Sequence, residues 1–294
     1  MTSQLPAPGV VVGTDGSEHA ELAVDVAAEE AVRRGVALQI VYVFPWMARA
    51  QRWEWSPPAD ALAAAESIAD RSAARVGDAH PGLPVDGRML VDDPVTALIE
   101  ASTSADVVVV GARGRGSAVR PLLGSVSEKV AAHAHGPVIV VHERPPHPDG
   151  PVAVGMDPGE GAPEAVEFAL EEARRRGVGL LVVQGRQHES FSGDADERLV
   201  EQFDTLLAKV HRASDERVES WRTRFPDVEL EVRRTTGHPV EALAEAAAEA
   251  GVLVVGSRGR GGLASFFLGS VSRGVLQKAP LVAVVRVHHE RARR

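Results

Sequence analysis

Short apolar runs and longer amphipathic stretches alternate along this chain. Val10–Val12, Leu38–Val43, Val107–Val110 and Val138–Val141 are rich in Val and Ile and are flanked by glycine or proline. Nearly continuous apolar strands of this kind suit a parallel sheet covered on both faces, where neither side needs polar residues. Between the runs the period becomes helical. Leu22 and Val26, and Ala23, Ala27 and Ala31, recur at intervals of four, and Glu29, Glu30, Arg33 and Arg34 are expected to face away from them. Gly35 follows two arginines, the chemistry of a helix C-terminus. Asp93-Pro94 reads as an N-cap with proline at the first helical position, and His238-Pro239 holds the equivalent place. The pair Asp92, Asp93 also invites a metal or acid–base reading, but capping already gives Asp93 a local role. Strand–helix alternation of these lengths predicts doubly wound α/β sheets, five strands in each of two units.

The two units are copies. Residues 10–36 lie over 152–178 at a constant shift of 142, with 16 of 27 positions identical, and residues 106–130 lie over 251–275 at a shift of 145, with 14 of 25 identical. Identity at that level over matched spacing means duplication and fusion. The seam falls in His142–Gly150, a proline-rich polar stretch between apolar runs. Residues 1–143 are therefore expected to form one domain and 151–294 the other. Duplicated domains inherit a self-complementary surface, so the lobes should pack as a pseudo-two-fold pair, and further homodimerisation is expected.

Composition narrows the function. Of the 294 residues 44% are apolar and 25% charged, the balance of a globular protein, and there is no cysteine for a disulfide, thiolate site or nucleophile. A net charge of −9 argues against general nucleic-acid binding. No apolar run nears the roughly 18 residues of a membrane span, and the start MTSQLPAPG has no export-signal pattern, so a cytoplasmic location is expected. The basic residues Arg291, Arg293 and Arg294 read as a solvated terminus. Three of the four tryptophans lie within 45–58, a segment that reads equally as a lid, an interface or a packed loop.

After the fourth strand of each lobe comes the same glycine arrangement. Gly111, Gly114, Gly124 and Ser125 are matched by Gly256, Gly259, Gly269 and Ser270, G-x2-G-x9-G-S in both. Glycines at a strand mouth let the backbone approach a ligand without a Cβ in the way. Gly-Ser opening a helix offers unpaired N–H groups to an anion. Arg113, Arg115, Arg258 and Arg260 add cations there. The competing reading is turns plus a cap, since Ser125-Val126-Ser127-Glu128 spells a capping box; Arg273 breaks that box in the second copy while Gly269-Ser270 remains. Ser117 stands where a Walker loop after Gly111 would need lysine, and no Gly-x-Gly-x-x-Gly marks the first turn. Asp15 and Asp157 end the first strand of each lobe, placed to bind a ribose hydroxyl or a phosphate-bridging metal, or to cap the next helix.

A Val-rich strand ending GTDGS, a second ending VYVF, and the glycine motif after the fourth resemble the universal stress protein family over nearly the whole chain, twice. The resemblance implies two tandem α/β domains of the adenine nucleotide alpha hydrolase-like kind, each a five-stranded parallel sheet with helices on both faces. It implies ATP, with Mg2+, at the carboxyl edge. Gly13 and Asp15 would lie near ribose or metal, the backbone of Val43 near adenine, Gly111, Arg113 and Gly114 along the nucleotide, and Gly124, Ser125 and Val126 on phosphates. In the second lobe these become Gly155, Asp157, Gly185, Gly256, Arg258, Gly259, Gly269, Ser270 and Val271. Each lobe departs somewhere: Asp92-Asp93-Pro94 lacks the family's Gly-x-Pro that Gly237-His238-Pro239 keeps, and Asp157-Pro158-Gly159 replaces Asp-Gly-Ser. Unequal affinities follow as an expectation. The implied function is nucleotide-dependent regulation of stress or growth. The alternatives are a slow ATPase or phosphotransferase, for which no P-loop lysine or Ser-His-Asp set is present, and a nucleotide-free scaffold. His133, His135, His288 and His289 read as surface residues.

Overall fold

A computed structural model describes residues 9–45, 59–114, 123–157, 163–186, 197–257 and 268–286. The tryptophan-rich segment from residue 46 on, Arg115, Arg258, Gly259, Arg260, His288, His289 and the basic end lie outside them. The first lobe runs β1 (Val10–Thr14), α1 (Glu18–Arg34), β2 (Leu38–Phe44), α2 (Ala59–Ala79), β3 (Val85–Val91), α3 (Pro94–Ala101), β4 (Val107–Gly111), α4 (Ser125–His133) and β5 (Val138–Val141). The second repeats it: β6 (Val152–Gly155), α5 (Pro163–Arg176), β7 (Leu180–Arg186), α6 (Glu197–Arg224), β8 (Leu230–Thr236), α7 (Pro239–Glu249), β9 (Val252–Gly256), α8 (Ser270–Val275) and β10 (Leu281–Val285).

Local signals set the helix ends. Ser17 caps α1 by accepting the Ala20 amide, and Gly35 closes it in the left-handed region at φ 65°, its N–H on the Ala31 and Val32 carbonyls. Asp93 caps α3 through the Val95 and Thr96 amides, with Pro94 in the first turn. His238 does the same for α7 on the Val240 amide.

All ten strands form one sheet, ordered β3-β2-β1-β4-β5-β10-β9-β6-β7-β8. Each half is parallel, and the halves join where β5 and β10 pair antiparallel, Val141 opposite Leu281 and Val138 opposite Val284. The order is palindromic about that pair, as a pseudo-two-fold axis requires. Helices cover both faces. Val10 and Val12 point with Ile40 and Val109 into one core, closed by α1, α2, α5 and α6. Val11, Val108 and Val110 point into the other, closed by α3, α4, α7 and α8. Both cores run through the seam, so neither lobe ends in a solvated sheet edge there.

The seam overturns one expectation. Glu29 and Arg33 are about one-third exposed, but Glu30 is fully buried and the Arg34 side chain is 6% exposed. Helices α1 and α5 meet across the axis, and each supplies the other's counterions. Arg34 pairs with Glu172 and Arg176 with Glu30. Within each helix Arg34 lies 3.3 Å from Glu30 and Arg176 3.6 Å from Glu172. Arg33 and Arg175 close the set on Glu30 and Glu172 at 2.7 and 3.0 Å. Residues 172 and 176 are the repeats of 30 and 34, so the buried network is the duplicated helix meeting itself.

Candidate functional site

Strands β1 and β4 are neighbours, yet the chain leaves them toward opposite sides of the sheet, β1 to β2 and β4 to β5. That is a topological switch point, where departing loops diverge and a crevice opens at the carboxyl ends. The same holds for β6 and β9. Because the halves are antiparallel, the two crevices open on opposite edges of the sheet.

In the first crevice three segments converge. Asp15 follows β1. Its Oδ1 accepts the Ser17 amide at 3.0 Å, and capping of α1 falls to Ser17 instead. A Cβ built on Gly114 would overlap the Asp15 Oδ2 atom, so a side chain here would have to displace the carboxylate or the backbone beside it. The third segment is the start of α4. The loop after β4 leaves through Ala112, whose amide reaches Val141 O at 2.7 Å, and returns at Gly124, whose amide reaches Ala112 O at 2.8 Å. Its feet are thus clamped together beside the strand end.

The capping-box reading of Ser125–Glu128 does not hold. Gly124 is the N-cap, with extended φ −67° and ψ 149° and no side-chain cap bond; Ser125 is already helical. The Gly124–Ala112 bond fixes the start of the helix one residue earlier than the box needs. Gly269 does the same for α8, its amide on Ser257 O at 3.0 Å. The first-turn amides of Ser125, Val126 and Ser127 therefore face the crevice without a capping side chain. Ser125 and Ser270 are exposed, and Val126 and Val271 are partly buried.

Beside this helix start, Arg113 has a buried Nε without a hydrogen-bond partner. Its charge is felt by His142, at the end of the neighbouring strand β5. Burial pushes the His142 imidazole below its usual range, Arg113 adds to this, and the bond to the Leu276 carbonyl opposes it.

The remaining candidates serve packing as well. A Cβ on Gly13 would come within 2.9 Å of Leu98 Cδ1, and one on Gly155 within 3.1 Å of Leu243, so these glycines admit α3 and α7 beneath the strands. Val43 lies past the last β1–β2 pair, Thr14 with Tyr42, and is paired with Leu90 on its β3 side. Gly185, its repeat, sits against Pro239, whose Cα would be 2.9 Å from an added Cβ. Gly237, at φ 151°, turns the chain into that proline. Gly111 and Gly256 end their strands, and Asp157 follows Met156, whose amide bonds Val183 O at 3.0 Å.

One pair of buried serines at the candidate site escapes sequence reasoning. Ser127 Oγ donates to Gly111 O at 2.6 Å and Ser272 Oγ to Gly256 O at 2.6 Å, both buried. Each ties the first turn of the helix that starts at the crevice, α4 or α8, to the strand end. The only sequence signal was repetition at the matched position. Ser127→Ala is expected to cost about 1–3 kcal/mol in urea unfolding, since the Gly111 carbonyl is left buried without its donor.

Among the described residues no group of three or more His, Cys, Asp or Glu side chains gathers for a cation, and no helix is long and apolar enough to cross a membrane.

Comparison with known proteins reproduces the same two-fold division. The model of the universal stress protein family matches residues 9–142 and again 150–286. A universal stress protein of Mycobacterium tuberculosis is 34% identical, with 99% of each chain covered. One from Mycolicibacterium smegmatis is 34% identical over 95% of this chain and 97% of its own. The crystal structure of a universal stress protein from Archaeoglobus fulgidus shares the fold at a TM-score of 0.68 and 23% identity, covering 95% of this chain and 98% of that one.

Proposed function

The chain belongs to the universal stress protein family, and from that membership and the crevice geometry we propose that it is a cytoplasmic, nucleotide-dependent regulator that binds ATP in each of two domains, residues 1–143 and 151–294. The observation that carries this reading is the convergence at one switch point of Asp15, the glycine that packs on it, and a helix start without a capping side chain. In this reading the α4 amides of Ser125 and Val126, with Gly124, hold phosphate oxygens, and Arg113 offers its unpartnered Nε. Asp15 takes the ribose hydroxyls or one edge of a Mg2+ ion. The chain offers no cation cage among its described residues, so Mg2+ would draw most of its ligands from phosphate and water.

The second domain repeats the scheme through Asp157, Gly256, Gly269, Ser270 and Val271, with Arg258 and Gly259 in the corresponding loop positions. Gly185 in place of Val43, and Gly237-His238-Pro239 in place of Asp92-Asp93-Pro94, make the two sites chemically unequal, so two affinities are expected.

Melting the protein with and without Mg-ATP tests the proposal. At ligand 100 times its dissociation constant, one site stabilises the fold by about 2.7 kcal/mol. The expected result is a raised melting temperature that the double variant Asp15→Ala, Asp157→Ala loses while melting normally without ligand. An unchanged melting temperature with every adenine nucleotide would overturn the reading.

A further inference from the structure

The last strand of each lobe ends on a side chain that reaches into the other lobe. The Val141 carbonyl accepts the Ala112 amide and the Val285 carbonyl accepts the Ser257 amide, both at 2.7 Å. The residues that follow, His142 and Arg286, therefore hold equivalent places at the ends of β5 and β10. Arg286 Nη1 donates to the carbonyls of His133 and Ala134, the last residue and the C-cap of α4, at 3.3 and 3.0 Å. His142 Nε2 donates to the carbonyl of Leu276, the C-cap of α8, at 2.5 Å. One contact is thus made twice, each time from a strand end of one lobe to the C-terminus of a helix in the other.

The last carbonyls of a helix have no partner within it, and a guanidinium is a charge-assisted donor at the negative end of the helix dipole. Such an anchor matters most where the helix is short. α4 has nine residues, too few to hold their shape in isolation. Its first turn is tied to its own lobe, by Ser127 Oγ on Gly111 O and by the Gly124 amide on Ala112 O. Farther along, the second lobe holds it twice. Arg286 takes the last carbonyls, and Arg273 of α8 lies 3.5 Å from Glu128 Oε1. Glu128 and Arg273 are repeats of one another at the shift of 145, so α4 and α8 meet across the seam as α1 and α5 do. That pair is nearly half exposed and weak; the partly buried Arg286 is the firmer hold.

We propose that Arg286 is a positioning residue for the first nucleotide site: from the second lobe it fixes the far end of α4, and so the place of the Ser125 and Val126 amides at the crevice. This rests on the nucleotide reading above. It makes the dependence crossed. Arg286 follows Val285, whose carbonyl holds the loop foot at Ser257 of the second crevice, yet its side chain serves the first.

Single-site backgrounds separate the two crevices, since Asp157→Ala keeps the first site and Asp15→Ala the second. Arg286→Met retains an unbranched stem and removes the donors. It is expected to weaken Mg-ATP binding by about 3–10-fold in the Asp157→Ala background and to leave it unchanged in the Asp15→Ala background. Arg286→Lys, which restores a charged donor, should recover most of the loss. No loss at the first site, or equal losses at both, would overturn the positioning role while the nucleotide reading stands. A parent protein that binds no adenine nucleotide would overturn that reading and this role together. Hydrogen exchange without nucleotide reads the anchor itself. The Ala134 amide, on Val130 O at 2.8 Å, should exchange at least about tenfold faster in Arg286→Met. The Leu276 amide of α8, on Ser272 O at 3.1 Å, should keep its parental rate. An Ala134 amide as protected as in the parent would sink the proposal whatever the titrations gave.

Discussion

Glu30→Ala lowers the stability of the folded chain by about 3–5 kcal/mol, a large share of what holds a domain together. The carboxylate is fully buried and stands between Arg176 of the other lobe and Arg34 and Arg33 of its own helix. Alanine removes the acceptor and leaves Arg34 and Arg176, at 6% and 7% exposure, with one carboxylate between them. Burial works against ionisation at both glutamates. At Glu172 the guanidiniums of Arg34 and Arg176 outweigh it and hold the carboxyl below the usual range. At Glu30 burial, with the charge of Glu172 beside it, outweighs Arg176 and pushes the carboxyl up. Two acids sharing one buried site titrate apart in this way. Replacing Glu30, Arg34, Glu172 and Arg176 together by leucine or methionine is expected to be neutral or stabilising, because it removes four desolvation costs along with the pairs. Urea unfolding of both variants decides the matter. A single variant within about 0.5 kcal/mol of the parent would mean the network is hydrated in solution.

If the proposed nucleotide site lies in the first crevice, Gly114→Ala is expected to weaken it by about 10–100-fold, or roughly 1.4–2.7 kcal/mol, while leaving the proposed second site unchanged. The added methyl overlaps Asp15 Oδ2. Asp15 cannot simply swing away, because its Oδ1 holds the Ser17 amide that begins α1. Ala112, two residues before Gly114, is itself held by its amide on Val141 O and its carbonyl on the Gly124 amide. Strain is therefore relieved by displacing the carboxylate or the loop from the ligand. Calorimetric titration with Mg-ATP should show two sites in the parent and one at comparable affinity in the variant. Two unaltered sites would show that nucleotide does not contact this corner.

Much of the molecule is legible in one dimension because its causes are local or repeated. The valine runs are strands because a parallel sheet covered on both faces accepts only apolar residues. Gly35 ends α1 because few other residues adopt φ 65° without strain, and Asp93 starts α3 because its carboxylate reaches amides two and three residues on. Matched spacing identified two copies and, through the resemblance, the glycine loop as the place to look.

Other features depend on partners the sequence cannot point to. Glu30 and Arg34 read as a solvated helix face because charge normally means exposure; their counterions lie some 140 positions away in the second copy, and only helix pairing across the axis buries them. Ser125 reads as a cap until the Gly124–Ala112 bond fixes the helix start, and Ser127 gains its role only once α4 folds back under β4. The duplicated α/β units and the candidate loop follow from residue order alone, since strand, cap and turn chemistry act within a few residues. The ten-stranded sheet and the buried ion network come from packing in three dimensions, because each exists where two copies of one surface meet.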